Sequence, residues 1–130
     1  MMDNKMIVAG SLANFAEVGV GEGFCFLGRL PYYRGLGLSM IEDIQVEVDG
    51  EAIPRENIRL RVHGNTYTLD AMETVYDDRW NFGEQATIIA LRDGGLGAGE
   101  HTLTYAIRMR VSYLPFVPTT KDTKQLELAA

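Results

Sequence analysis

The chain has 130 residues, a length that suits one domain and is too short for two of ordinary size. Its composition, 46% hydrophobic and 23% charged, is that of a globular protein and excludes a disordered tail. The formal net charge of −6 argues against a nucleic-acid backbone or an anionic membrane surface as the main partner.

The N-terminal residues and the cysteine count indicate a cellular location. Residues 1–9 contain Asp3 and Lys5 and lack the sustained apolar core of a signal peptide. No apolar stretch approaches the roughly 20 residues that cross a bilayer. The single cysteine, Cys25, excludes an internal disulfide and fits a reducing compartment. We therefore expect a cytoplasmic protein with no membrane partner.

The first half of the chain contains two kinds of strand signal. Residues 24–27, Phe-Cys-Phe-Leu, are apolar at every position, so this strand is either central or covered on one face from outside the sheet, for example by another subunit. Residues 43–48 and 58–62 alternate polar and apolar side chains, as strands with one buried face do. Asp-Gly at residues 49–50 and His-Gly at residues 63–64 predict tight turns, because these residue types accept positive φ.

The second half adds one short helix and two strands. Asp70 followed by Glu73 resembles a capping box and predicts a helix around residues 71–76. Residues 87–91 are apolar on both faces, whereas residues 103–113 alternate and predict one long strand with a buried face.

The spacing of these elements predicts the fold class. Short strands separated by Gly-rich turns, without the spacing of βαβ units, indicate an all-β antiparallel sandwich with at most one short helix. We expect residues 1–118 to form a single β-sandwich domain. Residues 119–130 are polar without a clear pattern, so we expect a loose C-terminal tail or a partner-docking arm there.

The sequence lacks a recognisable catalytic or metal site. It has two histidines, His63 and His101, and both are expected to be ordinary surface or turn residues. No HxH, HExxH or CxxC spacing supplies the three or four ligands of a zinc site. Cys25 lies in an apolar strand, where a small core residue is the expected role. The glycines of residues 94–99 resemble a phosphate loop but no Lys-Ser/Thr follows, so we expect turns.

Two predicted loops carry residues suited to recognition. Tyr32, Tyr33 and Arg34 follow a proline in a loop rich in glycine, and such side chains give large contact area and directional hydrogen bonds. The alternative is that one tyrosine packs in the core and Arg34 pairs with a carboxylate. Trp80 and Phe82 lie on a second predicted loop of the same character.

These loops also carry a family resemblance. The chain resembles the β subunits of bacterial C-glycoside deglycosidases over roughly residues 6–115. The most specific segment is RLPYYRGL at residues 29–36. The others are SMIE at 39–42, VDGE at 48–51, WNFGE at 80–84, GGL at 94–96 and RVSYLP at 110–115.

The resemblance implies a heteromeric lyase with a larger α subunit that is similar to TIM-barrel sugar isomerases and holds a divalent metal, expected to be Mn²⁺. Its substrates would be C-glycosides of flavonoids or related phenols, already oxidised at C3 of the sugar. The resemblance assigns no catalytic residue, metal or cofactor to this chain. We expect Tyr32, Tyr33, Arg34, Trp80 and Phe82 at the partner interface or the border of the active site.

A free-standing carbohydrate-binding module is the alternative hypothesis. It would use an exposed aromatic platform formed by Tyr32, Tyr33 and Trp80 and would need no partner. A self-sufficient enzyme is disfavoured by the residue inventory.

Overall fold

The computed structural model describes residues 7–8, 10–29, 36–72, 74, 79–80, 85–92, 94–97, 99–109 and 119–128. These residues form antiparallel strands and one short helix. In chain order the elements are β1 (Ala13–Glu17), β2 (Gly21–Arg29), β3 (Leu36–Gly37), β4 (Ile41–Val48), β5 (Glu51–Ala52), β6 (Ile58–Val62), β7 (Asn65–Thr68), α1 (Leu69–Met72), β8 (Arg79–Trp80), β9 (Gln85–Leu91), β10 (Gly99–Met109) and β11 (Thr119–Leu128).

Two main sheets enclose the core. The five-stranded sheet has the order β1-β2-β9-β6-β7, and the four-stranded sheet has the order β11-β10-β4-β5. Every strand pair in both sheets is antiparallel, and β3 pairs with β8 in a separate two-stranded sheet. The predicted fold class, an all-β antiparallel sandwich with one short helix, is confirmed.

The predicted turns lie where the sequence placed them. Asp49 and Gly50 have φ of 51° and 84° between β4 and β5, and His63 and Gly64 have φ of 54° and 79° between β6 and β7. Because these positive φ values match the twist of the flanking strands, each pair reverses the chain within two residues.

The inner faces of both sheets share one hydrophobic core. Ile88 on β9 and Leu103 on β10 have no exposed surface, and burying side chains of this size stabilises a fold by about 1.5–3 kcal/mol each. Phe26 on β2 meets Tyr105 on β10 edge to face, with ring centroids 5.5 Å apart. Gly28 leaves room for the Tyr105 ring, because a Cβ at position 28 would come within 3.2 Å of that ring.

The C-terminal segment differs from the sequence prediction. The expected loose tail from residue 119 is instead β11, which pairs with β10 from Arg108↔Thr119 to Gly99↔Leu128. Leu126 and Leu128 are buried, so the segment does alternate. Its polar residues concealed this, because β11 lies at the sheet edge and buries few apolar side chains. β11 therefore belongs to the four-stranded sheet.

The helix begins earlier than predicted. It spans Leu69–Met72, and the backbone N–H of Ala71 donates to the hydroxyl of Thr68, so Thr68 caps it in place of Asp70. Of the predicted residues 71–76, residues 73, 75 and 76 lie outside the described range.

One polar contact joins the N-terminal segment to β11. The backbone N–H of Ile7 donates to the Asp122 carboxylate at 3.1 Å, and the Lys124 ammonium donates to the Ile7 carbonyl at 3.0 Å. Lys124 also binds Asp122 at 2.9 Å. Ile7 bridges to Gly28 on β2, so this contact ties the edge strand of one sheet to the other sheet.

We predict that Asp122→Ala destabilises the protein by about 1–3 kcal/mol, because the substitution leaves the buried Ile7 N–H without its acceptor. Urea unfolding followed by circular dichroism measures this. The matched control is Glu127→Ala, an exposed acidic residue of the same strand, which should change stability by less than about 0.5 kcal/mol. Equal unfolding midpoints for the two variants would contradict the role of the contact.

Candidate functional site

The predicted recognition loops are described only in part. Tyr32, Tyr33, Arg34 and Phe82 lie outside the described residues, so their roles remain predictions. Trp80 lies on β8, pairs with Leu36 of β3, and has no exposed surface. In the isolated chain Trp80 therefore presents no ring surface, and its expected place at the partner interface or the border of the active site stays a prediction. Its ring is part of the core.

The described residues contain no group of three or more histidine, cysteine or acidic side chains that could hold a metal ion. In the same residues, no helix is both long and apolar enough to span a membrane.

His101 forms the most specific polar contact among the described residues. Its Nδ1 lies 2.6 Å from the Asp49 carboxylate, and its Nε2 lies 2.7 Å from the Gly97 carbonyl. The second Asp49 oxygen accepts the backbone N–H of Thr102 at 2.8 Å. The sequence missed this contact, because Asp49 and His101 are far apart in the chain.

The protonation of this pair follows from its partners. The hydrogen bond to Asp49, followed by that to the Gly97 carbonyl, raises the pKa of His101 above 6.5. The hydrogen bond from His101, with that from the Thr102 N–H, lowers the pKa of Asp49 below 3.8. Both ring nitrogens of His101 face acceptors, so the imidazolium is favoured and no ring nitrogen is free to act as a general base. The contact is therefore structural.

Arg92 fixes the neighbouring Gly-rich segment. Its guanidinium binds both oxygens of Glu51, at 3.1 and 3.3 Å, and donates to the Gly95 carbonyl at 2.6 Å. This pairing raises the pKa of Arg92 and lowers that of Glu51. Asn14 holds the same segment through both the N–H and the carbonyl of Leu96.

Gly95 shows why the segment needs glycine. Its φ is +61°, and a Cβ there would lie 2.5 Å from the Asn14 side-chain oxygen. The glycines therefore allow a tight turn against β1. Of the turn predicted over residues 94–99, residues 94–97 precede β10, whereas Gly99 is the first residue of that strand.

A cleft of about 400 Å³ opens beside the Arg92–Glu51 pair. It lies between the ends of β2 and β9 on one side and β5 with Pro54 and Asn57 on the other. The Arg92 guanidinium and the Glu51 carboxylate are bound to each other, so this pair offers no free acid and base to a substrate. Proton-transfer chemistry in the cleft would need groups other than these.

The two sheets differ in their outer faces. On the five-stranded sheet the strand register places Cys25, Leu27, Thr87 and Ile89 on the side opposite the core, next to Arg59 and Arg61 of β6. We call this surface the apolar face. On the four-stranded sheet most outward positions are polar or charged, and they include Asp43, Gln45, Glu47, Thr102, Thr104, Arg108 and Gln125, with Ala106 as an apolar exception.

Arg61 on the apolar face contacts two residues of β1. Its guanidinium is 5.7 Å from the centroid of the Phe15 ring and 2.5 Å from the Glu17 carboxylate. These contacts join β6 to a strand that is not its neighbour in the sheet. Burial raises the pKa of the Cys25 thiol, and the Arg61 charge partly opposes this change. Cys25 and Leu27 remain partly exposed, so the arginine covers this face incompletely.

Comparisons with known proteins identify what this chain is similar to. Residues 2–113 match the model of a family described as C-glycoside deglycosidase beta subunit. A C-glycoside deglycosidase beta subunit of Eubacterium cellulosolvens is 34% identical, over 88% of this chain and 78% of that protein. A 3'-dehydrocarminate deglycosidase beta subunit of a Microbacterium species is 36% identical, over 88% and 83%. A C-glycoside deglycosidase beta subunit of Arthrobacter globiformis is 29% identical, over 75% and 74%.

We predict that the His101–Asp49 contact stabilises the fold most between about pH 4 and 6.5. The raised pKa of His101 means that the stabilisation is complete below 6.5 and is lost as the pH rises through the pKa of the folded protein. The lowered pKa of Asp49 means that it is also lost as the pH falls below 3.8. The difference in melting temperature between the wild type and His101→Gln should therefore shrink from pH 6 towards pH 9.

The control for this prediction is His63→Asn, which removes the other histidine at an exposed turn where asparagine accepts the positive φ. A melting-temperature difference for His101→Gln that stays constant from pH 5 to 9 would contradict the charged contact.

Proposed function

The chain belongs to the family of C-glycoside deglycosidase beta subunits, and on this basis we propose that it is the accessory subunit of a heteromeric enzyme that cleaves C-glycosides. The family match over residues 2–113 is the observation that carries the proposal. The partner is a larger α subunit with a fold like that of TIM-barrel sugar isomerases.

The proposed reaction is an elimination. A C-glycoside joins sugar C1 to a carbon of the aglycone, so there is no glycosidic oxygen to protonate and the two-carboxylate route of glycoside hydrolysis does not apply. A ketone at C3 makes the C2 hydrogen acidic. A base removes this proton, the C1–C2 double bond forms, and the electrons of the C1–aglycone bond leave with the aglycone carbon, which takes up a proton. The products are an unsaturated 3-keto sugar and the free phenol.

The name of one relative supports an oxidised substrate. The Microbacterium protein is named for 3'-dehydrocarminate, a compound named as dehydrogenated at position 3'. We propose 3-oxo-C-glycosides of flavonoids or related phenols as substrates, with the C3 oxidation supplied by a separate oxidoreductase.

The division of labour between subunits rests on the chemistry of the described residues. The proposed reaction needs a base at C2 and stabilisation of the negative charge that develops at the C3 oxygen. Both nitrogens of His101 are engaged, and no potential metal-binding cluster is present among the described residues. We therefore propose that the α subunit supplies the base and holds the divalent metal, Mn²⁺. The isolated chain should be inactive.

We also propose that the complex works in the cytoplasm. The single cysteine of the chain fits a reducing compartment, where an exposed or half-buried thiol persists without a disulfide partner.

We predict that only the combined subunits release the aglycone. The purified chain, the α subunit and their mixture are incubated with a 3-oxo-C-glycoside, and the free phenol is quantified by liquid chromatography. Deuterium at C2 of the sugar should slow aglycone release by the mixture, because removal of the C2 proton precedes cleavage of the C1–aglycone bond. The same compound with its C3 hydroxyl unoxidised is the matched control and should not react.

Two outcomes of this assay would contradict the proposal. Aglycone release by the chain alone would make it an enzyme in its own right. Full activity of the α subunit without the chain, combined with sugar binding by the chain in calorimetry, would favour the carbohydrate-binding module instead.

We predict that Tyr33→Ala and Arg34→Ala each weaken assembly with the α subunit and reduce turnover by about tenfold or more, since aromatic and arginine residues dominate interface energies. Pull-down of the tagged α subunit and the phenol-release assay measure the two effects. Gln125→Ala, at an exposed position of β11, is the control and should leave both unchanged. Unchanged assembly and turnover in both loop variants would show that the loop assignment is wrong.

A further inference from the structure

The contrast between the two outer faces shows which surface of the sandwich is suited to a partner. Along the strands of a sheet with one face in water, apolar side chains that point to the core normally alternate with polar side chains that point to the solvent. The four-stranded sheet largely follows this pattern. The apolar face does not, since Cys25, Leu27 and Ile89 lie on its two central strands, β2 and β9. Ile89 has no exposed surface, so side chains of the chain itself already cover it. Cys25 and Leu27 stay partly exposed, and the apolar surface that they leave at the middle of the sheet is of the kind that marks an interaction site.

The size of the apolar face fits a subunit contact. Five strands about 4.8 Å apart, with about six residues each at a rise of about 3.4 Å, make a surface of about 500 Å². A stable interface buries about 800 Å² on each partner, and Ile89 on this face is already buried, so the face supplies only part of that area. Residues that adjoin the five strands would supply the remainder.

The charges on the apolar face indicate which charges its partner carries. Arg29, Arg59 and Arg61 lie on this side of the sheet, although the chain as a whole carries a net charge of −6. Arg59 donates to the backbone carbonyls of Glu56 and Ile58, and no carboxylate among the described residues pairs with it. A partner that places carboxylates beside an apolar ridge would complete this surface.

A second copy of the chain fits this surface poorly. In a two-fold symmetric contact the same patch meets itself, so Arg59 and Arg61 would face their own copies. Glu17 is the carboxylate that the described residues place on this face, and it is already bound to Arg61. Like charges placed opposite each other oppose association.

We propose that the apolar face is the surface on which the α subunit docks, with Arg59 binding a carboxylate of that subunit. The inference rests on the proposed function, because it takes the α subunit as the occupant. It adds the location of the contact, which lies on the outer side of the five-stranded sheet.

Cys25 reports on docking without any substitution, because it is the one cysteine of the chain and lies at the centre of the apolar face. Its alkylation by a maleimide is followed by mass spectrometry of the Cys25 peptide, in the free chain and in the complex with the α subunit. We expect alkylation in the complex to be at least about tenfold slower. Equal rates in a preparation that co-elutes as a complex would overturn the inference and leave the proposed function standing.

A charge placed on the face tests the same contact. Thr87→Glu sets a carboxylate directly across from Arg61, a pairing that the folded chain accommodates. Against carboxylates of the α subunit, the new charge should weaken binding by about a hundredfold or more, which corresponds to the several kcal/mol that opposed like charges cost. Gln125→Glu, on the outer side of the four-stranded sheet, is the matched control and should bind as the wild type does.

The outcomes separate the inference from the proposed function. If the wild type fails to bind the α subunit at all, the proposed function fails. If the wild type and a folded Thr87→Glu variant bind equally tightly, the docking face is elsewhere. If sedimentation of the chain alone shows a dimer that Thr87→Glu dissociates, the occupant is a second copy and the inference is overturned. Thermal melting of each variant verifies that it is folded.

Discussion

The structure depends on one constraint, the alternation of side chains along its strands. On the central strands of the two main sheets, every second residue points to the shared core, where Phe26 on one sheet meets Tyr105 on the other. The remaining residues face outward, so recognition by this fold depends on its outer faces and its loops. The core sets the register, and the register decides which side chains are presented together. This is why Leu27, Thr87 and Arg61, which are distant in sequence, form one row across three strands.

The polar contacts of the chain hold the ends and edges of the sandwich. Asp122 and Lys124 bind the backbone of Ile7 on one edge, and His101 with Asp49 joins the start of β10 to the turn before β5. Each of these charged groups is already paired within the chain, so its chemistry is used for the fold. That use is consistent with a subunit that positions or steadies a site formed elsewhere.

The sequence predicted the features that depend on local pattern and missed those that depend on distant contacts. Residues 103–109 alternate strictly and Asp49-Gly50 accepts positive φ, so the strand and the turn could both be predicted. β11 was missed because its buried apolar residues, Leu126 and Leu128, lie near its end, and the polar residues before them hide the period. The burial of Trp80 could not be predicted, because an aromatic residue between short strands suits either the core or a surface. The role of Asp122 was not readable, since its partner Ile7 lies 115 residues away. The family resemblance added the subunit role, which no pattern of residues gave.

A cryo-electron microscopy map of the chain bound to its α subunit would locate the docking surface. We expect the α subunit to cover Leu27 and Thr87 on the five-stranded sheet and to bring a carboxylate to Arg59, while the outer face of the four-stranded sheet stays in solvent. An α subunit seated on the four-stranded sheet, with the five-stranded face left open to water, would contradict this expectation.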